Sequence, residues 1–189
     1  MTKLGFAVFE TAIGTCAIVW SARGIAGVQL AETSAAATVA RVLRRFSGAR
    51  EETPRADVQQ AIDGIVALLA GERRDLTGIA IDEERISDFN RRVYAIARAI
   101  PPGATMTYGE IAERLGDKLL ARAVGQAMGE NPTPIIMPCH RVLAAGGKTG
   151  GFSANGGVTT KLRLLTIEGA QPGGPTLFER LPLEARRSS

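Results

Sequence analysis

The stretch TYGEIAERLGDKLLARAVGQAMGENPTPIIMPCHRV, residues 107–142, combines two short helical patterns with an apolar run flanked by prolines. Thr107 followed three residues later by Glu110 is a capping box, which predicts a helix that begins just after Thr107. Gly116 is placed to end that helix, and Asp117 is placed to cap a second one at once. The pattern therefore predicts a helix-turn-helix.

The second of these helices carries an unusual number of small side chains. Arg122 stands among them and is the only long cation in the run. Two interpretations remain open: a tightly packed core helix, or a smooth face that brings one cation forward to a close partner. The small residues are Ala121, Ala123, Gly125 and Ala127.

The apolar run ends in Cys139 and His140, the latter being the only histidine of the chain. A buried cysteine is ordinarily inert, but an imidazole that removes the thiol proton produces the nucleophilic thiolate. Adjacent side chains of an extended segment point to opposite sides, so proton transfer requires a bridging water or a turn here. A carboxylate usually orients such a histidine, and composition alone leaves 19 acidic candidates.

Length and cysteine content limit the classes of protein. A chain of 189 residues is long enough for one large domain or two small ones. Cys16 and Cys139 follow no disulfide spacing, which is typical of reduced thiols in a cytoplasmic protein. One histidine and two cysteines cannot form a four-ligand Cys/His zinc site, so no cofactor is expected. The sequence shows no signal peptide and no long apolar segment, so no membrane association is expected either.

Charge is distributed unevenly along the chain. Residues 1–87 carry a net charge of −1, whereas residues 88–189 carry +5. A basic excess in the half that holds Cys139 suits an anionic partner such as nucleic acid, although it is also common on solvated surfaces.

The sequence pattern of the first half of the chain predicts a small β-sheet accompanied by helices. Residues 4–30 read as a three-stranded antiparallel meander. Ser34 is placed to cap a helix with an apolar face, residues 50–57 form a polar surface connection, and residues 61–69 form a second helix. The apolar face of the first helix contains Val39, Val42, Leu43 and Phe46.

The sequence pattern of the second half predicts helices before and after the segment that contains Cys139. Residues 78–84 read as a linker, Ser87 is placed to cap the next helix, and residues 160–168 form the last helix. We therefore expect an N-terminal scaffold domain at residues 1–85, a mainly helical domain at residues 86–170 that holds Cys139, and a loosely ordered tail at residues 171–189.

Four segments occur together in a characteristic order and spacing between residues 89 and 169: FNRRVYAIARAIPPGATMTYGEIA, ARAVGQAM, NPTPIIMPCHRV and LLTIEGA. This set resembles the methylated-DNA–protein-cysteine methyltransferases, also called O6-alkylguanine-DNA alkyltransferases. The resemblance implies an α+β fold, with a small antiparallel N-terminal sheet and helices in a ribonuclease H-like layout. It also implies a mainly helical, winged-helix-like C-terminal domain, residues 86–170, that binds DNA and holds the alkyl acceptor in its active site.

The resemblance implies catalytic roles for five residues. Cys139 matches the acceptor of the alkyl group, and His140 matches the histidine that deprotonates it through a water. Glu168 matches the carboxylate that orients the histidine, and Asn131 matches the asparagine that braces the turn before the cysteine. Tyr108 is similar to the tyrosine that gives a proton or hydrogen bond to guanine N3.

The resemblance also implies how DNA binds. Arg122 matches the arginine that enters the base stack when the target nucleotide rotates out of a duplex. The resemblance implies that the protein docks as a monomer in the minor groove of double-stranded DNA. The further substrate-binding or DNA-binding positions are Ala121, Ala123, Gly125, Val142, Phe152, Ser153 and Lys161.

The implied function is irreversible, single-turnover transfer of the alkyl group from O6-alkylguanine to Cys139. The alternatives are a non-catalytic lesion-binding relative, a cysteine hydrolase, and a basic DNA-binding module with a structural cysteine. Three features depart from the family pattern: a zinc site cannot form in residues 1–85, Phe152 replaces a common tyrosine, and the loop at residues 153–161 is slightly longer. Residues 1–85 match the family only in general layout.

Overall fold

A computed structural model describes residues 3–171 of the protein, which form two compact units. The first unit contains the residues up to Arg85 together with Pro132–Ile136. The second contains Ile86–Asn131 and the described residues from Met137 onward. The scaffold and DNA-binding roles expected for the two parts stay predictions, and the expected tail lies, apart from residue 171, outside the described residues.

The first unit is built on the predicted antiparallel meander, which the structure confirms. Strands β1 (Gly5–Thr11), β2 (Gly14–Ser21) and β3 (Gly24–Gln29) pair in sequence order. Gly14 and Gly24 open the second and third strands with φ values of 115° and 143°, which favour glycine. The tight turns before them are therefore encoded locally.

A fourth strand, β4 (Arg50–Glu51), adds to this sheet where the sequence predicts only a surface connection. It pairs in parallel with β1, so the sheet is mixed, with the order β3-β2-β1-β4. The Arg50 N–H donates to the Leu4 carbonyl at 3.0 Å, and the Glu52 N–H donates to the Phe6 carbonyl at 3.0 Å. Because both residues of β4 are polar and exposed, the sequence carries no period-2 signal for this strand.

Two helices accompany the sheet. Helix α1 (Ala35–Arg45) begins as predicted, with the Ser34 hydroxyl accepting the Ala37 N–H at 3.1 Å. Leu43, predicted to lie on its apolar face, is instead 44% exposed. Helix α2 (Ala56–Leu69) starts five residues before the predicted start at residue 61. The prediction missed these residues, ADVQQ, because three of the five are polar. The buried cluster beside α1 contains Phe6, Ala17, Val19, Val42 and Ala49.

The predicted linker at residues 78–84 is bound to the edge of the sheet. The Ile25 N–H donates to the Ala80 carbonyl at 2.9 Å, and the Asp82 N–H donates to the Ile25 carbonyl at 2.8 Å. Arg23 also forms an ion pair with Asp82. This segment is therefore an integral part of the first unit.

The segment Pro132–Ile136 joins the same unit from far along the chain. The Val28 N–H of β3 donates to the Pro132 carbonyl at 2.9 Å. Ile135 and Ile136 are buried, at 1% and 2% exposure. Ile135 has a φ of 75°, a left-handed conformation that is rare for a β-branched residue. The residues just before Met137 are thus held in an unusual backbone path.

The second unit is mainly helical, as predicted. Its elements are α3 (Asp88–Arg98), β5 (Met106–Thr107), α4 (Tyr108–Arg114), α5 (Ala121–Gly129), β6 (Val142–Leu143) and α6 (Val158–Ile167). Helix α5 begins after a short 3-10 turn, Lys118–Leu120, and not directly at Asp117 as the capping pattern suggested. Helix α6 begins two residues before the predicted start at residue 160. The parallel pair of two-residue strands, β5 and β6, was not predicted.

Local capping fixes the helix-turn-helix formed by α4 and α5. The Glu110 N–H donates to the Thr107 hydroxyl at 3.1 Å, and the Thr107 N–H donates to the Glu110 carboxylate at 2.5 Å. The predicted capping box is confirmed. Gly116 follows α4 with a φ of 101°, and Asp117 accepts the Leu119 N–H at 2.8 Å. Within the described residues, no helix is long and apolar enough to cross a membrane.

Candidate active site

Cys139 opens a single 3-10 turn, Cys139–Arg141, that follows Pro138. The turn replaces the extended geometry in which neighbouring side chains would point apart. The Asn131 side-chain N–H donates to the Met137 carbonyl at 2.8 Å and to the Cys139 sulfur at 3.2 Å. Asn131 thus ties the end of α5 to the turn and contacts the thiol itself.

His140 lies against Glu168, the residue that follows α6. The distance between His140 Nε2 and Glu168 Oε1 is 2.9 Å, and the two side chains are 1% and 3% exposed. An ionised carboxylate only accepts hydrogen bonds, so the Nε2 proton faces it. The other ring nitrogen, Nδ1, is buried and has no hydrogen-bond partner among the described residues. The structure therefore pairs His140 with Glu168, as expected for the proton path, and places Cys139 one residue before His140 in the same 3-10 turn.

Arg141 is a site residue that sequence reasoning missed. Its Nε and one Nη donate to Glu168 at 2.8 and 2.7 Å, and its other Nη donates to the Ile100 carbonyl at 2.5 Å. Both partners are distant in sequence, so the local pattern contains no signal for them. The only hint is its place directly after His140.

A cavity of about 450 Å³ opens beside the Cys139 thiol. It contains three of the positions expected to bind substrate, Gly125, Phe152 and Ser153. A side-chain Cβ added at Gly125 or Gly129 would meet no protein atom within 4 Å. Met128 is a lining residue that the sequence did not single out. Among residues 3–171, the lining residues are Tyr108, Gly125, Met128, Gly129, Cys139, Gly151, Phe152 and Ser153.

Tyr108 starts α4 and forms one wall of this cavity. Its ring lies so close to Gly150 that a Cβ there would come within 2.8 Å of the phenol oxygen. Lys161 Nζ lies 5.8 Å from the centre of the ring. Lys161 itself is fully buried and donates to the Val142 carbonyl at 2.6 Å. Its expected role in binding substrate or DNA stays a prediction.

The expected DNA-contact residues lie along α5. Arg122 is exposed, whereas Ala121, Ala123 and Gly125 are half-buried. Arg122 thus projects from a row of small side chains, as the sequence pattern suggested. Its role, and those of the small residues, stay predictions.

Burial controls the acidity of the Cys139 thiol and the His140 imidazole. Burial raises the pKa of the Cys139 thiol, and the Asn131 hydrogen bond and the Lys161 charge offset only part of that rise. Burial lowers the pKa of His140 despite its bond to Glu168. The resting pair is therefore a neutral thiol and a neutral imidazole.

The flanking groups are shifted as well. Burial favours the acid form of Glu168, but hydrogen bonds from His140 and Arg141 outweigh it and lower the pKa of that carboxyl to about 2. Burial, aided by Cys139, raises the pKa of the Tyr108 phenol. Burial lowers the pKa of Lys161 to about 8. Glu168 is thus an anion at neutral pH, and Tyr108 is a neutral hydrogen-bond donor. Over residues 3–171 no group of His, Cys, Asp and Glu side chains is arranged to hold a metal ion.

This geometry can be compared with known proteins. Residues 88–170 match the family described as 6-O-methylguanine DNA methyltransferase, DNA binding domain. A methylated-DNA–protein-cysteine methyltransferase of Mycolicibacterium paratuberculosis is 45% identical over 130 residues, which cover 68% of this chain and 75% of that protein. The chain belongs to the methylated-DNA–protein-cysteine methyltransferase family.

Other members of this methyltransferase family extend the likeness over more of the chain. The Methanothermobacter thermautotrophicus protein is 31% identical over 157 residues, covering 83% of this chain and 81% of its own. The crystal structure of Mycobacterium tuberculosis OGT in complex with DNA is 30% identical, with a TM-score of 0.72, and the match covers 98% of this chain and 99% of that one. The predicted methyltransferase family and α+β fold are confirmed.

Proposed function

We propose that this protein repairs DNA by transferring the alkyl group of O6-alkylguanine to Cys139, irreversibly and once per chain. The observation that carries the proposal is the position of Cys139. Cys139 lines a cavity of about 450 Å³, and the next residue of the same turn, His140, is buried against Glu168. Family membership supports the same chemistry, since relatives are named for methyl transfer from DNA to a protein cysteine.

The proton path follows from the hydrogen bonds of His140. Glu168 holds Nε2–H, which leaves the Nδ1 lone pair to take the thiol proton through a water. The thiolate then forms a carbon–sulfur bond with the alkyl carbon, and the carbon–O6 bond breaks with its electron pair passing to the purine. Asn131 stabilises the thiolate because its N–H already donates to sulfur.

Tyr108 assists departure of the purine. Its phenol is neutral, stands in the cavity wall and can give a proton or hydrogen bond to the ring nitrogen that gains charge. Over the whole reaction one proton passes from the thiol to the purine, and nothing is oxidised or reduced. Because the S-alkyl carbon of a thioether is a poor electrophile, the alkylated chain has no route back, which gives one turnover.

The target carbon is hidden inside a duplex, so the nucleotide must rotate out into the cavity at a cost of about a few kcal/mol. Arg122 is exposed on α5 and would fill the gap in the base stack. The small residues beside it allow the helix to approach a groove wall closely, which favours the minor groove. We propose that a monomer in the cytoplasm does this, with contacts mostly to phosphates and a strong salt dependence.

The test follows a radioactive methyl group from an O6-methylguanine duplex to the protein. We expect at most one label per chain, and no transfer by Cys139→Ala. Cys16→Ala is the matched control, because Cys16 is the other buried cysteine and lies in β2. Equal labelling of wild type and Cys139→Ala would refute the acceptor role. Duplex binding without any transfer would instead indicate a lesion-binding protein.

A further inference from the structure

Arg141 makes a set of contacts that the proposed reaction does not use. Glu168 Oε1 accepts from both His140 Nε2 and an Arg141 Nη, at 2.9 and 2.7 Å. Glu168 Oε2 accepts from Arg141 Nε at 2.8 Å. The carboxylate is thus bound twice by Arg141 and once by His140. A fork of this kind is the strong form of an arginine–carboxylate pair.

The guanidinium is also fixed from the other side. Its remaining Nη donates to the carbonyl of Ile100, just after α3, and the Arg141 residue is only 5% exposed. A lysine could supply the charge but not the three directed bonds. Arg141 therefore has a defined position between α3 and the residue that ends α6.

This arrangement determines the charge that His140 experiences. A lone carboxylate would attract a second proton onto the imidazole and stabilise imidazolium. Arg141 neutralises that carboxylate and adds a positive charge beside the ring. The other groups near His140 are the Lys161 ammonium, which also disfavours imidazolium, and the neutral Cys139 thiol.

We propose that Arg141 is a positioning residue that keeps His140 neutral, with its proton on Nε2, so that Nδ1 is free to act as base. The proposal rests on the proposed alkyl transfer for its purpose, but not for its test. In this arrangement Glu168 both orients the His140 ring and anchors Arg141. Because Arg141 neutralises the Glu168 carboxylate, that carboxylate does not draw a second proton onto the ring. Without Arg141, His140 would therefore stay protonated up to a higher pH than in the wild-type protein, and while protonated it could not accept the thiol proton.

The protein allows a direct measurement, because His140 is its only histidine. Untagged protein labelled with ¹⁵N-histidine gives one imidazole whose charge and tautomer can be followed by NMR as the pH changes. For Arg141→Met we expect the titration midpoint to rise by about one pH unit or more. Arg141→Lys should give a smaller rise, and Arg91→Met, which breaks an exposed ion pair on α3, should give none.

A midpoint for Arg141→Met that equals the wild-type value would overturn the inference. If Arg141→Met does not fold, Arg141→Lys decides alone: an unchanged midpoint, with the ring proton still only on Nε2, would overturn the inference. The rate of transfer from free O6-benzylguanine gives a second reading, which needs no DNA binding. In each variant we expect the rising limb of the plot of transfer rate against pH to move to higher pH, by the same amount as the NMR titration midpoint. A purely structural defect would instead lower the transfer rate equally at every pH.

The two proposals fail in distinguishable ways. If wild type transfers no alkyl group, the proposed function fails, but the NMR midpoint still reports on Arg141. If wild type transfers normally and the midpoint is unaffected by either substitution, only the inference about Arg141 fails.

Discussion

Cys139 is held in a state that is protected and yet ready to react. Burial keeps the thiol protonated, and a thiol reacts slowly with oxidants and stray alkylating agents. The Asn131 N–H and the Lys161 charge act in the opposite direction and favour the thiolate once a base has taken the proton. If each chain reacts once, as we propose, this balance limits loss of the acceptor to unwanted reactions.

The contribution of Asn131 can be measured on the thiol itself. In Asn131→Ala the sulfur and the Met137 carbonyl lose a donor, so the pKa of the Cys139 thiol should rise further. A rise of one pKa unit lowers the fraction of thiolate at neutral pH about tenfold, and the rate of reaction with iodoacetamide falls by the same factor. The pH dependence of labelling in a Cys16→Ala background tests this. Asn90→Ala, which removes an amide bonded to Glu130, is the control, and an unchanged labelling profile in Asn131→Ala would contradict the role.

Sequence patterns pointed to the residues that we propose react, but not to the residue that we propose controls their charge. Cys139 and His140 are adjacent and typical of a nucleophile and base, and Glu168 lies in a recognisable segment. Arg141 gave no comparable signal, because its carboxylate partner lies 27 residues away and its carbonyl partner 41 residues away. Lys161 was expected to bind substrate or DNA, and only tertiary packing shows that it is buried.

At the scale of elements, α5 carries two glycines that its own stability does not explain. Glycine in a helix interior costs about 1 kcal/mol relative to alanine. Gly125 lines the cavity, and so does Gly129, and an added Cβ at either position contacts no protein atom within 4 Å. The space they leave is therefore open to a bound base.

We expect Gly125→Ala to narrow the cavity without disturbing the fold. Transfer from O6-benzylguanine should slow by about tenfold or more relative to transfer from O6-methylguanine, since the larger group needs the space. The melting temperature should stay the same or rise. Gly78→Ala is the matched control in the first unit, because its added Cβ also meets nothing. Equal rate losses for both substrates would show that Gly125 does not set the size limit.

Elements with local signals were predicted well, and elements that depend on distant pairing were not. Ser34, Ser87 and the Thr107–Glu110 box start helices through bonds within one turn, so the sequence is sufficient. Strands β4, β5 and β6 are two residues each and exist only because a partner strand is present. A segment that short has no measurable periodicity.

At the scale of the whole molecule, acid should destabilise the protein through the site. The pKa of Glu168 is lowered to about 2 in the folded protein, against about 4.3 for an unfolded glutamate. A lowered carboxyl pKa stabilises the fold above the unfolded value, and that stability is lost as the pH falls from about 4.3 toward about 2. Neutral, buried His140 adds to the loss, since the unfolded histidine binds a proton more readily.

Urea unfolding at several pH values between 6 and 3 tests this. We expect the free energy of unfolding of wild type to fall steeply over this range, and that of Glu168→Gln to start lower and fall less. Glu113→Gln, at a surface ion pair with Lys118, should follow the wild-type slope. Parallel slopes for wild type and Glu168→Gln would mean that the site does not govern acid sensitivity.

The assignment of Pro132–Ile136 to the first unit has a consequence for modularity. The chain leaves the second unit after Asn131, contributes a hydrogen bond from Val28 to Pro132 and two buried isoleucines to the first, and returns at Met137. A gene cut at residue 85 would therefore not separate two modules, because the downstream piece would still carry a patch of the upstream core. Recombination between relatives, or engineered domain exchange, must move these five residues with the N-terminal half or replace both halves together.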